Sequence, residues 1–262
     1  MLDAAAIEKL TGIVAAAQAA PHTIAKLTDD YPGMTVADSY AVQDALLARW
    51  QAEGRVLAGY KAGLTSKAKM DQMGVSEPSF GLLMADTIDA DGGIIPTGKL
   101  IHPRAEAEIA FVMKDELAGA AVSIGDVIAA TDFVQPALEI IDSRFEKFKF
   151  DLVSVIADNG SSARFLLGGR PRRPQELDLR TIGILLERNG EAAAMASSGA
   201  VLGHPARAVQ MLVAWLHARG RTLPAGSIVL TGGATEAIAV TKGDAIAARF
   251  QDMGAISVRM ER

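Results

Sequence analysis

Ile101-His102-Pro103-Arg104-Ala105-Glu106-Ala107-Glu108-Ile109-Ala110-Phe111-Val112 is the stretch whose reading decides the fold. Beyond the proline the residues alternate, with Glu106 and Glu108 two apart and Ala105, Ala107 and Ile109 beside them. Side chains at i and i+2 of a strand share a face, so Glu106 and Glu108 lie together while Ala105, Ala107 and Ile109 face a core. Residues 104–113 therefore read as a β-strand. Two glutamates side by side repel each other unless solvent or a cation lies between them. Spacing alone leaves both open, and Glu-x-Glu on a strand is most often a solvated face.

Working outward, Val127–Ala130 and Phe133–Ile141 read as further strands. The second contains Val134-Gln135-Pro136-Ala137-Leu138-Glu139-Ile140-Ile141, a run apolar enough to be buried. A carboxylate inside such a run needs a partner, because unpaired burial is costly or drives it to protonate. Glu106, Glu108 and Glu139, with water and a chelating ligand, would complete an octahedral magnesium site. Residues 181–196 hold Asn189-Gly190, a strong hairpin signal, residues 226–231 make a short apolar strand, and Ala245–Met260 forms a hairpin around Asp252–Ala255.

Helical patterns frame these strands. Residues 3–20 place Ile7, Leu10, Ile13 and Val14 on one stripe, stopped by Pro21. A second helix starts at Thr35 with Asp38 as its capping partner and ends at Gly54, with Tyr40, Leu47 and Trp50 on its buried face. A third begins at Pro205, carries Val209, Leu212, Val213 and Leu216, and ends at Gly220. The expectation is an α+β chain: helices first, then a mostly β domain.

Composition narrows the chemistry. The chain has 262 residues, half of them apolar, enough for one substantial core. A net charge of −5 argues against a broad nucleic-acid surface. Cysteine is absent, so disulfides, thiolate nucleophiles and Cys-based zinc sites are excluded. Four histidines, at 22, 102, 204 and 217, show no ligand spacing, so a metal would rest on carboxylates, which suits magnesium or manganese. No run reaches membrane-spanning length and the start lacks a signal peptide's basic residues, so a soluble cytoplasmic protein is expected.

Three other clusters are candidates for a site. Gly59-Tyr60-Lys61-Ala62-Gly63-Leu64-Thr65-Ser66 can lay a lysine against a ligand, though alone it reads as a surface turn. Asp158-Asn159-Gly160-Ser161-Ser162 reads equally as a turn, and Leu230-Thr231-Gly232-Gly233 as a strand end open to close backbone approach.

Taken in order, the chain resembles the fumarylacetoacetase-like superfamily, in its hydratase/decarboxylase branch. The resemblance is carried by Tyr31-Pro32-Gly33-Met34-Thr35, Gly63 to Met70, Leu100-Ile101-His102-Pro103, Ile141-Asp142-Ser143-Arg144-Phe145 with Phe148-Lys149-Phe150-Asp151, and Leu202-Gly203-His204-Pro205, and runs from about Thr28 to Ser257. It implies a strongly curved mixed β-sheet roll over residues 76–262, with a smaller α-rich cap over residues 1–75. It implies magnesium or manganese on Glu106, Glu108 and Glu139. Lys61 is implied as the acid/base or carboxylate-binding group, with Asp86 in the active-site region. Leu64, Thr65, Ser66, Ser161 and Thr231 are implied as substrate contacts.

The activity implied is metal-dependent decarboxylation of a small 2-oxo dicarboxylate, 2-oxo-3-hexenedioate, in meta-cleavage aromatic degradation. Its C1 carboxylate and C2 keto oxygen can chelate one metal while electrons released with carbon dioxide travel to the C2 oxygen. The segment 141–150 is similar to the decarboxylase subgroup; Gly160, where the pattern commonly has alanine, departs from it. Alternatives are hydration of 2-oxopent-4-enoate or 2-oxohept-3-enedioate on the same residues, carbon–carbon hydrolysis, for which no convincing base histidine is present, and a non-catalytic partner subunit of the hydratase. The branch further implies a homo-oligomer and a complex with the hydratase of the same pathway. Arg144 and Arg164 are candidates for a distal carboxylate, and His102 and His204, each before a proline, read as turn formers.

Overall fold

The computed structural model describes residues 1–262, the side chains of residues 68, 69 and 72 excepted. Helix α1 (Ala4–Ala19) starts where Asp3 accepts a hydrogen bond from the Ala6 N–H. A short α2 (Leu27–Asp30) leads to α3 (Val36–Ala52), whose capping box joins Thr35 and Asp38. Gly54, at φ 82°, ends that helix in the left-handed conformation. Helix α1 packs on α3, burying Leu10 and Val14 from one and Val42 and Leu46 from the other.

The remaining chain alternates strands with short helices. In order come β1 (Leu57–Gly63), α4 (Lys67–Met73), β2 (Ser79–Met84), β3 (Ile88–Asp89), β4 (Ile94–Ile95) and β5 (Arg104–Met113). Next are α5 (Ile124–Ala130), β6 (Thr131–Ile141), α6 (Leu152–Ala157), β7 (Ser162–Leu167), β8 (Gly183–Arg188) and β9 (Glu191–Ser197). Last are α7 (Ala206–Ala218), β10 (Ile228–Leu230), β11 (Ile238–Ala239), β12 (Ala245–Phe250) and β13 (Gly254–Met260).

Two sheets result. The larger runs β2-β1-β10-β5-β6-β7-β3 with β11 also on β5; the smaller runs β4-β13-β12-β8-β9. Both are mixed, since β1 pairs parallel to β10 and β4 parallel to β13 while the longer ladders are antiparallel. Inward residues of the two sheets, such as Ile109, Phe111, Leu138 and Ile140 against Leu186, Ile246, Ile256 and Val258, share one core. The other face of the large sheet carries a separate small cluster of Leu83, Ala110, Ala137, Phe165 and Leu230. Glu106, Glu108 and Glu139 lie on that second face, by the two-residue repeat from Ala110 and Ala137.

The strand at 104–113, the three long helices and both C-terminal hairpins stand where the sequence places them. Asn189 and Gly190 turn with φ of 56° and 85°, the two left-handed residues a tight hairpin requires. One expectation is corrected. Residues Val127–Ala130 belong to helix α5, because Ser123 and Asp126 form a capping box that starts a helical turn before β6. Strand β1 lies within residues 1–75 yet is an interior strand of the large sheet.

Candidate active site

The register of β5 and β6 sets Glu106 directly opposite Glu139, with Glu108 two residues along β5. All three are buried, and one carboxylate oxygen from each lies within 4.8 Å of the others. Glu108 Oε2 accepts from the Gly232 N–H at 2.7 Å, while its Oε1 has no hydrogen-bond partner. Burial pushes the Glu108 carboxyl well above its ordinary value of 4.5, and the neighbouring Glu139 and Glu106 charges push it further. Glu139 is raised by burial too, against the pull of Lys61. Such a cluster of converging, desolvated acidic oxygens has the hard donor set a divalent cation requires, so the residues fit magnesium.

The neighbouring backbone makes room for this cluster. Strand β10 borders β5 only at Ala110–Val112 and β11 borders it at Arg104–Ala105. Between them the chain bulges from the sheet, clipped to β5 where Ala234 N–H donates to Ala107 O and Ala107 N–H to Thr235 Oγ1. Gly233 lies in that bulge, and a Cβ there would come within 2.7 Å of Glu106 Cδ. Only glycine allows the backbone to pass so close to the carboxylate.

Lys61 arrives from β1. It is 3% exposed, and its Nζ lies 2.6 Å from Glu139 Oε1 as an ion pair and donates to Gly160 O at 2.9 Å. Opposite it on β2 stands Gly81, where a Cβ would come within 3.0 Å of Lys61 Cγ and of Asn159 O. Asn159 docks on β2 like an extra strand: Leu82 N–H donates to its Oδ1 at 2.7 Å and its Nδ2 donates to Leu82 O at 2.9 Å. Asn159, Gly160 and Ser161 hold φ of 55°, 63° and 58°, three left-handed residues in succession. That strained turn aims Gly160 O at the lysine and leaves Ser161 Oγ buried without a hydrogen-bond partner.

A cavity of about 490 Å³ opens beside these groups, lined among others by Lys61, Leu64, Glu106, Gly160, Ser161 and Gly233. A somewhat larger one, about 550 Å³, lies between α1, α3 and the far end of the sheet and contains none of the carboxylates. We place the site in the smaller cavity, because the acidic oxygens and the lysine converge there.

Most of the sequence-derived residues meet, and several do not. Glu106, Glu108, Glu139 and Lys61 come together, with Leu64 and Ser161 on the cavity wall. Thr231 is buried behind them, donating to Ile109 O at 2.9 Å, and Thr65 packs against Gly232; neither lines the cavity, nor does Ser66. Asp86 is exposed at the start of a 3₁₀ turn and pairs with Arg55, outside this cavity, because the strand β2 carries it past this point. Arg144 is buried on Asp158 at 2.5 Å and Arg164 holds Asp89 at 2.6 Å, so neither faces the glutamates. His102 packs on Phe148 with ring centroids 5.3 Å apart, and His204 Nδ1 accepts from the Ala206 N–H. Gly81 was missed as a site-forming position, and Asn159 and Gly233, although inside two of the candidate clusters, read there only as parts of a turn and of a strand end. Their signal, glycine or asparagine beside an apolar run, is shared by many turns.

Known proteins align with this arrangement over nearly the whole chain. A 4-oxalocrotonate decarboxylase of Pseudomonas sp. (strain CF600) is 52% identical over 238 residues, covering 91% of this chain and 90% of that protein. A 2-oxo-hept-4-ene-1,7-dioate hydratase of Escherichia coli is 42% identical over 236 residues, 88% of each chain. The structure of 4-oxalocrotonate decarboxylase from Pseudomonas putida G7, complexed with magnesium and adipate, superposes with a TM-score of 0.97 at 46% identity, covering 99% of both chains. With the model of the fumarylacetoacetate (FAA) hydrolase C-terminal region matching residues 58–261 as well, the chain belongs to the fumarylacetoacetate hydrolase family.

Proposed function

We propose that this protein is a lyase, a magnesium-dependent decarboxylase converting 2-oxo-3-hexenedioate (4-oxalocrotonate) to 2-hydroxypenta-2,4-dienoate and carbon dioxide, as a step of meta-cleavage aromatic degradation. The observation that carries the reading is the buried triad of Glu106, Glu108 and Glu139 with Lys61 beside it, in a chain 52% identical to a decarboxylase of that substrate. Glu106, Glu108 and Glu139 would hold magnesium, with manganese as the alternative ion. When bound, the ion supplies a Lewis acid for a 2-oxo acid and a template that orients it.

The chain's own residues do the rest. Lys61, fixed between Gly160 O and Glu139, presents a positive charge at the cavity wall. There it stabilises negative charge developing on the C2 oxygen as the C5–C6 bond breaks, or delivers a proton to the dienolate product. Ser161 Oγ, without a protein partner, is a donor for a substrate oxygen, and Leu64 closes the apolar side. No covalent nucleophile is needed, since the departing electron pair is delocalised through the C3–C4 double bond.

A hydratase is the second reading, favoured by the 42% identity to the Escherichia coli enzyme. Incubation with magnesium and 2-oxo-3-hexenedioate distinguishes them: decarboxylation releases one carbon dioxide per substrate consumed, hydration none. The further proposals are a homo-oligomer, a complex with the hydratase that consumes the dienoate product, and a cytoplasmic location. Among the described residues no helix is long and apolar enough to cross a membrane. We also propose that the helical cap within residues 1–75 works over the β-roll of residues 76–262, joined by β1.

A further inference from the structure

The cavity has two ends of different chemistry. One is lined by Glu106, the outermost of the triad, and Lys61; the other is shaped by Arg104, Phe148, Lys149 and Phe150. Arg104 opens β5 two residues before Glu106, so it shares that residue's face at a Cα spacing of ~6.8 Å. Its guanidinium carbon lies 4.0 Å from the centroid of the Phe148 ring. Among the described residues no carboxylate pairs with it, whereas Arg144 and Arg164 are both engaged by aspartates.

Phe148 is held in place deliberately. Lys147 and Phe148 have φ of 56° and 59°, left-handed values that two consecutive non-glycine residues seldom adopt. The Phe148 ring rests against Phe150 at 5.7 Å, and Phe150 against the buried Phe145 at 6.3 Å, so the aromatic ladder runs back into the core. A guanidinium lying on a fixed aromatic face keeps its donor edge free and its plane defined.

We propose that Arg104, braced on Phe148, is the specificity-determining residue that receives the second carboxylate of the substrate. The proposal rests on the reading of the triad end as the place where the 2-oxo acid group sits. Five carbon–carbon bonds of ~1.5 Å in a zigzag chain span about 6 Å, which matches the step from Glu106 to Arg104 along the strand. The planar fork of an arginine fits a carboxylate with two parallel hydrogen bonds. Because that carboxylate is the one that leaves as neutral carbon dioxide, the contact selects the substrate and is given up as the reaction proceeds.

The test is a calorimetric titration of the magnesium-loaded protein with two inert ligands, 2-oxohexanedioate and 2-oxohexanoate, which lack the C3–C4 double bond. The parent protein is expected to bind the dicarboxylate about 10- to 100-fold more tightly. Arg104→Gln is expected to bind both alike, Arg104→Lys to keep part of the preference, and Phe148→Leu to weaken it. Magnesium affinity unchanged in all three shows the fold and the triad intact. A preference that survives in Arg104→Gln, an equal loss of both ligands, or no preference in the parent protein would overturn the assignment. The titration involves no turnover, so a parent protein that released no carbon dioxide would end the decarboxylase reading without deciding the role of Arg104.

Discussion

Glu106 and Glu139 are direct cross-strand partners on β5 and β6, and Lys61 Nζ sits 2.6 Å from the Glu139 Oε1 oxygen. Opposed residues in an antiparallel pair have Cβ atoms about 4.5–5.5 Å apart, and like charges there destabilise the sheet. With Glu108 on the same face, three buried carboxylates converge. The arrangement is costly for a folded chain by itself and suited to a divalent ion.

Glu108→Gln separates stability from function. Glutamine keeps the acceptor for the Gly232 N–H and replaces a carboxyl that burial and its acidic neighbours raise well above its ordinary value. The metal-free variant is expected to be about 1–3 kcal/mol more stable than the parent near neutral pH, while losing more than ~100-fold in magnesium affinity. Denaturant unfolding in EDTA and calorimetry with magnesium measure the two effects.

The pH dependence follows from the same group. Glu108 has a folded pKa raised above its ordinary 4.5, so the folded metal-free protein holds a proton that the unfolded chain releases. Its contribution is therefore favourable below about pH 4.5 and is lost as pH rises toward the folded value. Magnesium displaces that proton, so its binding strengthens over the same range. The difference in Tm between magnesium and EDTA samples should widen as pH rises; a difference independent of pH would contradict a proton held at the site.

Gly233→Ala tests the close approach at Glu106. The new Cβ would lie 2.7 Å from Glu106 Cδ, so the carboxylate or the loop must shift. The expected result is a loss of magnesium affinity of at least ~10-fold in a chain that still folds, read by calorimetry and circular dichroism.

Lys61 and Asn159 should divide cleanly. Lys61→Ala is expected to lower kcat by about 10²–10⁴-fold, with magnesium still bound. Asn159→Ala removes both hydrogen bonds to Leu82 and leaves buried backbone groups unpaired, at a cost of about 2–4 kcal/mol. Steady-state kinetics and urea unfolding would show the contrast.

The parts of this architecture that follow local rules were legible before the structure was known. Thr35 with Asp38 closes a capping box, Pro205 precedes the first helical turn and Gly220 ends that helix in the left-handed conformation, and Asn189-Gly190 supplies a tight turn; each signal acts within a few residues, so the elements stand as expected. Val127–Ala130 misled because a four-residue apolar run fits strand or helix, and the deciding signal, Ser123 with Asp126, lies before it. The three glutamates were readable from period-two spacing and from a charge in an apolar run. That Glu139 faces Glu106 depends on the β5–β6 register, and that Lys61 reaches them depends on β10 ending at Leu230; both are long-range facts no local pattern contains. Asp86 and Thr231 show the converse, since a family position carries no guarantee that its side chain enters the cavity.

The most direct measurement is carbon dioxide release from 2-oxo-3-hexenedioate by the purified protein, before EDTA treatment, after it, and after magnesium is returned. Release should stop with EDTA and return with magnesium in the parent protein, and Glu106→Gln should show none in either state. Turnover that continues unchanged in EDTA would contradict the account.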